Sequence, residues 1–167
     1  AINVIYGRPD FSALPVWDFN TTPPDIVVTS GISGELGGLS VASADFNKDG
    51  RDDIAWGAPG GNGGIHYYDS TNWATQMGGN FENLNSVSMV NATSGWAVGD
   101  YISLYTTIYQ YDGFSWSIME DGFANRSIDF KGVSAYNANN VWAVGEAGTV
   151  IKWGGSAWAS QTSGTTT

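Results

Sequence analysis

Between residues 45 and 53 the chain reads Asp45-Phe46-Asn47-Lys48-Asp49-Gly50-Arg51-Asp52-Asp53. Oxygen-bearing side chains fall at alternate positions (Asp45, Asn47, Asp49), Gly50 follows where the chain must turn sharply, and Asp53 closes the run. Calcium takes about six to eight oxygen ligands and accepts irregular geometry, whereas magnesium demands a tight octahedron and holds on to its waters. A helix would send these side chains in three directions, but a tight loop gathers them around one point. The spacing therefore predicts calcium, with Asp45, Asn47, Asp49 and Asp53 as side-chain ligands and Asp52 turned to solvent. The expected role is structural. Uncompensated carboxylates repel one another, and an ion converts that repulsion into a folded loop, so stability becomes linked to the metal. The flanks, Leu39-Ser40-Val41-Ala42 and Ile54-Ala55-Trp56, read as strands that must hold the two ends of the loop.

Other chemistries find little support. His66 is the sole histidine, on a strand where Ile65 and Tyr67 share one face and His66 takes the other. One histidine and no cysteine cannot build a zinc site or a thiolate nucleophile. No nucleophile-elbow pattern occurs. Arg8, Arg51 and Arg126 are too scattered for the arginine cluster a sialidase needs. Gly60-Gly61-Asn62-Gly63-Gly64 lacks the Lys-Ser/Thr of a phosphate loop and reads as a long hairpin. The expectation is a protein without catalytic activity.

The 167 residues fit one domain able to bury a core, with 42% hydrophobic and 14% aromatic residues and 23 dispersed glycines favouring strands and turns. Six Lys and Arg against sixteen Asp and Glu, a formal net charge of -10, exclude the basic footprint of a nucleic-acid binder and disfavour an anionic membrane surface. No apolar run is long enough to span a bilayer, so no membrane insertion is expected. A start at Ala1 without a methionine suits a processed secreted protein or an excised piece, and the expected location is secreted or cell surface. Asn20, Asn91 and Asn125 open glycosylation-type sequons.

Self-comparison supplies the architecture. Ile65–Trp73, Ile108–Trp116 and Val150–Trp158 align, each an aromatic strand, a tight turn and a tryptophan. Upstream, Gly95-Trp96-Ala97-Val98-Gly99 matches Val141-Trp142-Ala143-Val144-Gly145, with Asp53-Ile54-Ala55-Trp56-Gly57 as a looser copy. Further upstream, Val41, Val87 and Val133 recur every 46 residues. Four short strands in about 40–45 residues is the size of a propeller blade. The predicted fold is all-β: a propeller-like array of four-stranded antiparallel blades over residues 1–167. Its units are a partial blade at 1–19, a calcium-loop blade at 27–76, and blades at 80–119 and 127–161. The tryptophans Trp73, Trp116 and Trp158 are expected to fill space between blades.

The stretch from Leu39 to Pro59, an aspartate loop followed by Ile54-Ala55-Trp56-Gly57-Ala58-Pro59, resembles an FG-GAP repeat of the integrin α-subunit type. Val4-Ile5-Tyr6-Gly7-Arg8-Pro9 resembles the strand that ends a preceding repeat, with Tyr in place of the name-giving Phe. In that family the loop binds calcium on one rim of a β-propeller. The resemblance implies Asp45, Asn47, Asp49 and Asp53 as side-chain ligands and the backbone carbonyl of Arg51 as a further one. It is not an EF-hand, whose twelfth loop position is a glutamate; here that position is Trp56. From about Trp73 to Thr162 the chain resembles instead the "WAVG" repeats of secreted propellers, distantly similar to sialidase-type and photosystem-assembly-factor repeats. Its equivalent loops, Ser88–Gly95 and Ser134–Val141, carry no carboxylate.

Three complete units and a remnant leave open sheet edges, which invite pairing with another chain. The expected function is a non-catalytic, calcium-stabilised extracellular propeller module for adhesion, assembly or protein or glycan binding, with self-assembly through open blade edges as one route. One alternative is a carbohydrate-binding lectin or glycosidase-like module that uses blade aromatics as sugar platforms. Another is an architectural subunit of a surface layer or filament.

Overall fold

The computed structural model describes residues 2–4, 26–28, 40–46, 48–57, 64–68, 73–78, 83–101, 107–123 and 127–162. Asn47, most of the 1–19 stretch, the Gly60–Gly63 turn, Asn20 and Asn125 lie outside them, as does the side chain of Trp73. Two short strands, β1 (Ile2–Val4) and β2 (Ile26–Val28), pair antiparallel, with Ile2 opposite Val28. The rest of the described chain folds into three four-stranded antiparallel sheets, each a meander in sequence order. The first comprises β3 (Ser40–Ala44), β4 (Asp53–Gly57), β5 (Gly64–Tyr68) and β6 (Trp73–Gly78). The second comprises β7 (Leu84–Asn91), β8 (Ser94–Gly99), β9 (Ile108–Tyr111) and β10 (Trp116–Ile118). The third comprises β11 (Phe130–Asn137), β12 (Asn140–Gly145), β13 (Val150–Trp153) and β14 (Trp158–Ser160). These are propeller blades.

The sheets stack face to face, and alternation along each strand decides what enters each junction. Between the first and second sheets lie Ile65 from one side and Val87, Ala97 and Tyr109 from the other, with Ala42 and Trp116 packed against them. Between the second and third lie Trp96, Val98 and Ile108 against Phe130, Val141, Ala143, Ile151, Trp153 and Trp158. Trp96 is wholly buried, its ring 5.4 Å from that of Trp153 and 5.3 Å, edge-on, from that of Trp158. Trp116 and Trp158 thus do fill space between blades. The leading strands of consecutive sheets run side by side, β3 against β7 and β7 against β11. Their small residues let the backbones approach closely enough for direct bonding. Ser40 Oγ accepts the Val87 N–H at 2.9 Å, Ser86 Oγ that of Val133 at 3.2 Å, and Ser88 Oγ that of Ala135 at 3.0 Å.

Two expectations change. Asp53–Gly57 does copy Gly95–Gly99 in being the second strand of its sheet, but one residue out of phase. Val41 pairs across from Trp56, Val87 from Ala97 and Val133 from Ala143. Trp56 therefore takes the place of Ala97 and points to the face opposite that of Trp96, where its ring stacks on His66 at 5.4 Å and 23°. The 46-residue valine spacing carries the true register, because the glycine-based alignment counts across a hairpin of different length. Nor are Ser88–Gly95 and Ser134–Val141 loops. They are mostly strand, joined by two-residue turns at Ala92-Thr93 and Ala138-Asn139 and irregular between Met89 and Asn91 and between Ala135 and Asn137.

Candidate functional site

The aspartate run connects β3 to β4 at one rim. Its flanking strands form as the sequence implied, Ala44 pairing across from Asp53 at the loop's base. Asp45 Oδ1 accepts the Asp49 N–H at 2.9 Å and its Oδ2 accepts the Gly50 N–H at 2.9 Å. Asp49 Oδ1 accepts the Arg51 N–H at 2.9 Å. Asp53 Oδ2 reaches back across the loop to the Phe46 N–H at 2.8 Å. The turn is tight: Lys48 and Gly50 both adopt the left-handed region, at φ 63° and 88°. Lys48, Asp49, Gly50, Arg51 and Asp52 are exposed, Asp45 is half-buried, and Asp53 is buried.

Phe46 anchors the loop inward. Its ring lies 5.6 Å from that of Tyr67 in the first sheet and 6.2 Å from that of Tyr111 in the second. Loop conformation is thereby coupled to the junction between these two sheets.

Among the described residues, no three acidic or histidine side chains converge as a ligand cluster. Each predicted carboxylate instead turns one or both oxygens to a backbone N–H. The donor set nevertheless suits a hard cation. An ionised carboxylate has about four lone-pair sites, so an accepted N–H bond does not exhaust it. Asp53, buried at the base, is a group whose charge is costly without a compensating cation or hydrogen bonds.

The other two sheets have no such loop, but their turns share its capping chemistry. Asn91 Oδ1 accepts the Thr93 N–H at 2.8 Å, and Asn137 Oδ1 accepts the Asn139 N–H at 2.9 Å. Counted from the valines, Asp45, Asn91 and Asn137 occupy one repeat position. On the same rim, Asp112 Oδ1 accepts the N–H groups of Phe114 and Ser115, both at 2.9 Å. Those bonds, that from Ser115 foremost, hold its carboxyl below the usual range.

The single histidine, His66, is a packed strand residue. It stacks on Trp56, and its Nδ1 lies 3.0 Å from Thr75 Oγ1. Trp56, Trp96, Trp153 and Trp158 are buried, and among the described tryptophans Trp142 alone is exposed.

Sequence reasoning missed a polar cluster on the opposite rim. Lys131 Nζ lies 2.8 Å from Asp100 Oδ1, 3.2 Å from Asp129 Oδ2 and 3.8 Å from Glu146 Oε1. Asp100 also accepts from Asn83 Nδ2 at 2.9 Å and Asn85 Nδ2 at 2.7 Å, while Asn85 Nδ2 bonds the Phe130 carbonyl at 2.8 Å. Partial burial pushes the Asp100 carboxyl up, but the bonds from Lys131, Asn85 and Asn83 with the lysine charge outweigh it and leave Asp100 below its ordinary value. Bonds to Asp100 first and Asp129 second, with the charges of both, raise Lys131. The cluster ties the second sheet to the third. Its signal was present: Asp100 and Glu146 each follow the glycine that ends the second strand of a sheet, 46 residues apart.

Comparison with known proteins bears on the fold and the loop. The FG-GAP repeat profile matches residues 37–70, the stretch that contains the aspartate loop. No curated protein matches the chain. A solved structure described as "YCF48 bound to D1 peptide" aligns with a TM-score of 0.56 and 15% identity over 80% of this chain. The chain spans 42% of the length of that protein. At this identity the likeness is one of fold. The chain is an all-β propeller-type protein, similar to an FG-GAP repeat over its aspartate loop.

Proposed function

We propose that this chain is a non-catalytic, calcium-stabilised β-propeller module that works outside the cell by binding another protein. The observation that carries the reading is the aspartate loop itself: an FG-GAP-like segment whose carboxylates cap their own backbone and whose Phe46 is wedged between two sheets. Calcium would be held by Asp45, Asp49 and Asp53, with Asn47 and the Arg51 carbonyl as the further ligands the resemblance implies. When bound, the ion supplies charge compensation and no reaction step. The chain's own residues do the rest, with Asp45 fixing the turn, Asp53 closing the base and Phe46 passing loop order to the sheet junction.

An extracellular setting suits the acidic, cysteine-free composition and the usual location of FG-GAP repeats. Among the described residues, no helix is long and apolar enough to cross a membrane. A protein partner is favoured because the fold neighbour is described with a bound peptide, and because two aromatics project from this rim, Phe114 at 90% and Tyr136 at 82% exposure.

The test is calcium titration by calorimetry together with thermal melts in calcium and in chelator. Saturating calcium at a hundredfold excess over Kd stabilises by about 2.7 kcal/mol. The Asp45→Ala, Asp49→Ala double variant should lose both the heat of binding and the shift in melting temperature. Unchanged affinity in that variant would remove the site.

A further inference from the structure

The turns that follow β7 and β11 are built alike and differ at one residue. The second sheet reads Asn91-Ala92-Thr93 there, and the third Asn137-Ala138-Asn139. Asn91 pairs across from Ser94 and Asn137 from Asn140, so each asparagine is the last strand residue before its turn. Asn91, Thr93, Asn137 and Asn139 are all exposed. Each asparagine accepts the N–H two residues on, at 2.8 Å from Thr93 and 2.9 Å from Asn139, which is an Asx turn. In the second sheet alone a hydroxyl stands at the third position, and Thr93 Oγ1 donates to Asn91 Oδ1 at 3.0 Å.

We propose that Asn91 is an N-glycosylation site, which receives an oligosaccharide from a lipid-linked donor as the chain is exported. The inference rests on the extracellular reading above, but not on calcium or on a partner. Asn-x-Thr with x other than proline is the acceptor triplet. In a chain rich in Asn and Thr the triplet alone is common, and its placement is what carries the argument. Asn91 Oδ1 is turned into the hairpin, where it accepts both bonds from Thr93. Among the described residues its Nδ2 donates no hydrogen bond, so exchanging one of its hydrogens for a sugar breaks no contact of the fold. The amide stands at an exposed hairpin tip, and the intervening Ala92 adds only a methyl group, so a bulky hydrophilic group meets solvent rather than packing. Thr93 is seated on its own sheet: a Cβ added at Gly113 would lie 2.9 Å from the Thr93 Cβ. The sugar therefore borders the turn that presents Phe114.

The donor is an oligosaccharide carried on a lipid pyrophosphate. Asn91 Nδ2 attacks the anomeric carbon of the first sugar. The N–C bond forms as the C–O bond to phosphate breaks, Nδ2 gives up one of its two protons to the transferase, and the lipid pyrophosphate leaves. No oxidation or reduction is involved. The third sheet supplies an internal control, because its turn offers the same backbone, the same Asx bond and the same exposure without the hydroxyl. Asn137 is accordingly not an acceptor. Its turn is also seated like that of Asn91, since a Cβ added at Gly155 would lie 2.8 Å from Asn139 Oδ1. Asn20 and Asn125, which open the other two triplets, lie outside the described residues and take no part in the inference.

The experiment is secretion of the full chain from a eukaryotic cell, whose own transferase and lipid-linked donor supply the reaction. Peptide mass mapping is done before and after enzymatic removal of the glycan, which leaves aspartate at each linked asparagine. Circular dichroism and thermal melts establish that each variant folds. In wild type, Asn91 should be read as aspartate in most molecules after removal and as asparagine in none before it, because the glycan hides it. Thr93→Ala should abolish the modification, and Thr93→Ser should retain it in part. Asn139→Thr should gain a second glycan, at Asn137. An unmodified Asn91 in wild type would overturn the proposal. So would a glycan that persists in Thr93→Ala, a loss as complete in Thr93→Ser as in Thr93→Ala, or an Asn139→Thr variant left bare at Asn137. Because the host provides the export route, a bare Asn91 sinks the acceptor assignment alone, while calcium titration of the same sample tests the propeller reading separately.

Discussion

Ser40 and Val87 are 47 residues apart and lie on different sheets, yet the serine hydroxyl accepts the valine N–H at 2.9 Å and sits 3.4 Å from the same residue's carbonyl oxygen. One blade on, Ser86 repeats the contact with the N–H of Val133. These bonds satisfy leading-strand backbone groups that have no ladder partner on that side. Replacing Ser40 or Ser86 with Ala leaves a partly buried N–H without its acceptor, at a cost of about 1–3 kcal/mol. Urea denaturation should show a lower midpoint with little change in slope. A midpoint equal to wild type in both variants would mean that water replaces the hydroxyl at no cost.

Trp96 and Trp142 share a repeat position but differ in burial, and the two should respond differently to truncation. Trp96→Ala empties the junction of the second and third sheets and should cost about 3–5 kcal/mol. Trp142→Ala, measured on the monomer at low concentration, gives up its cation–π contact with Lys152 and should cost about 1 kcal/mol or less. Equal losses in chemical denaturation would contradict the burial described here.

The Asp100–Lys131 cluster predicts an acid-sensitive component of stability. The folded-state pKa of Asp100 is depressed, so its contribution is fully present above the ordinary aspartate value of about 3.9 and is lost as pH falls through the lower folded value. Lys131→Met should weaken the protein near neutrality and flatten the fall in stability below about pH 4. Melting temperature as a function of pH, compared between wild type and variant, reads this directly. Parallel profiles would place the acid dependence elsewhere.

For the aspartate loop, Phe46→Ala separates ion binding from its consequence. Calcium should still bind, since no predicted ligand is removed, but the rise in melting temperature should shrink because the ring linking the loop to Tyr67 and Tyr111 is gone. Calorimetry and melts on the same sample distinguish the two effects. A full thermal shift in this variant would show that the ring contacts do not carry the coupling.

Much of the architecture was legible because repeats expose it. Val41, Val87 and Val133 mark the leading strands, and the alternation along Trp142, Ala143 and Val144 separates one buried face, that of Ala143, from one exposed face. The aspartate loop's position between strands was legible from composition alone. The phase of Trp56 was not, because an eight-residue connection in one sheet and two-residue turns in the others defeat alignment on the glycines. The Lys131 cluster was hidden for another reason. Its acids and asparagines come from strand ends on two sheets, and scattered polar residues acquire meaning only once stacking brings them together.

Asp45 occupies the place that Asn91 and Asn137 hold in the other sheets, and all three begin their turns by capping backbone N–H groups. The aspartate loop is therefore the ordinary hairpin lengthened beyond its cap, and lengthening a surface connection costs little in closure entropy. This makes the rim an insertion point that the sheets tolerate. Grafting Asp45–Asp53 in place of the Asn91 or Asn137 turn should leave the strands in register, so that an aspartate loop can be gained or lost one blade at a time.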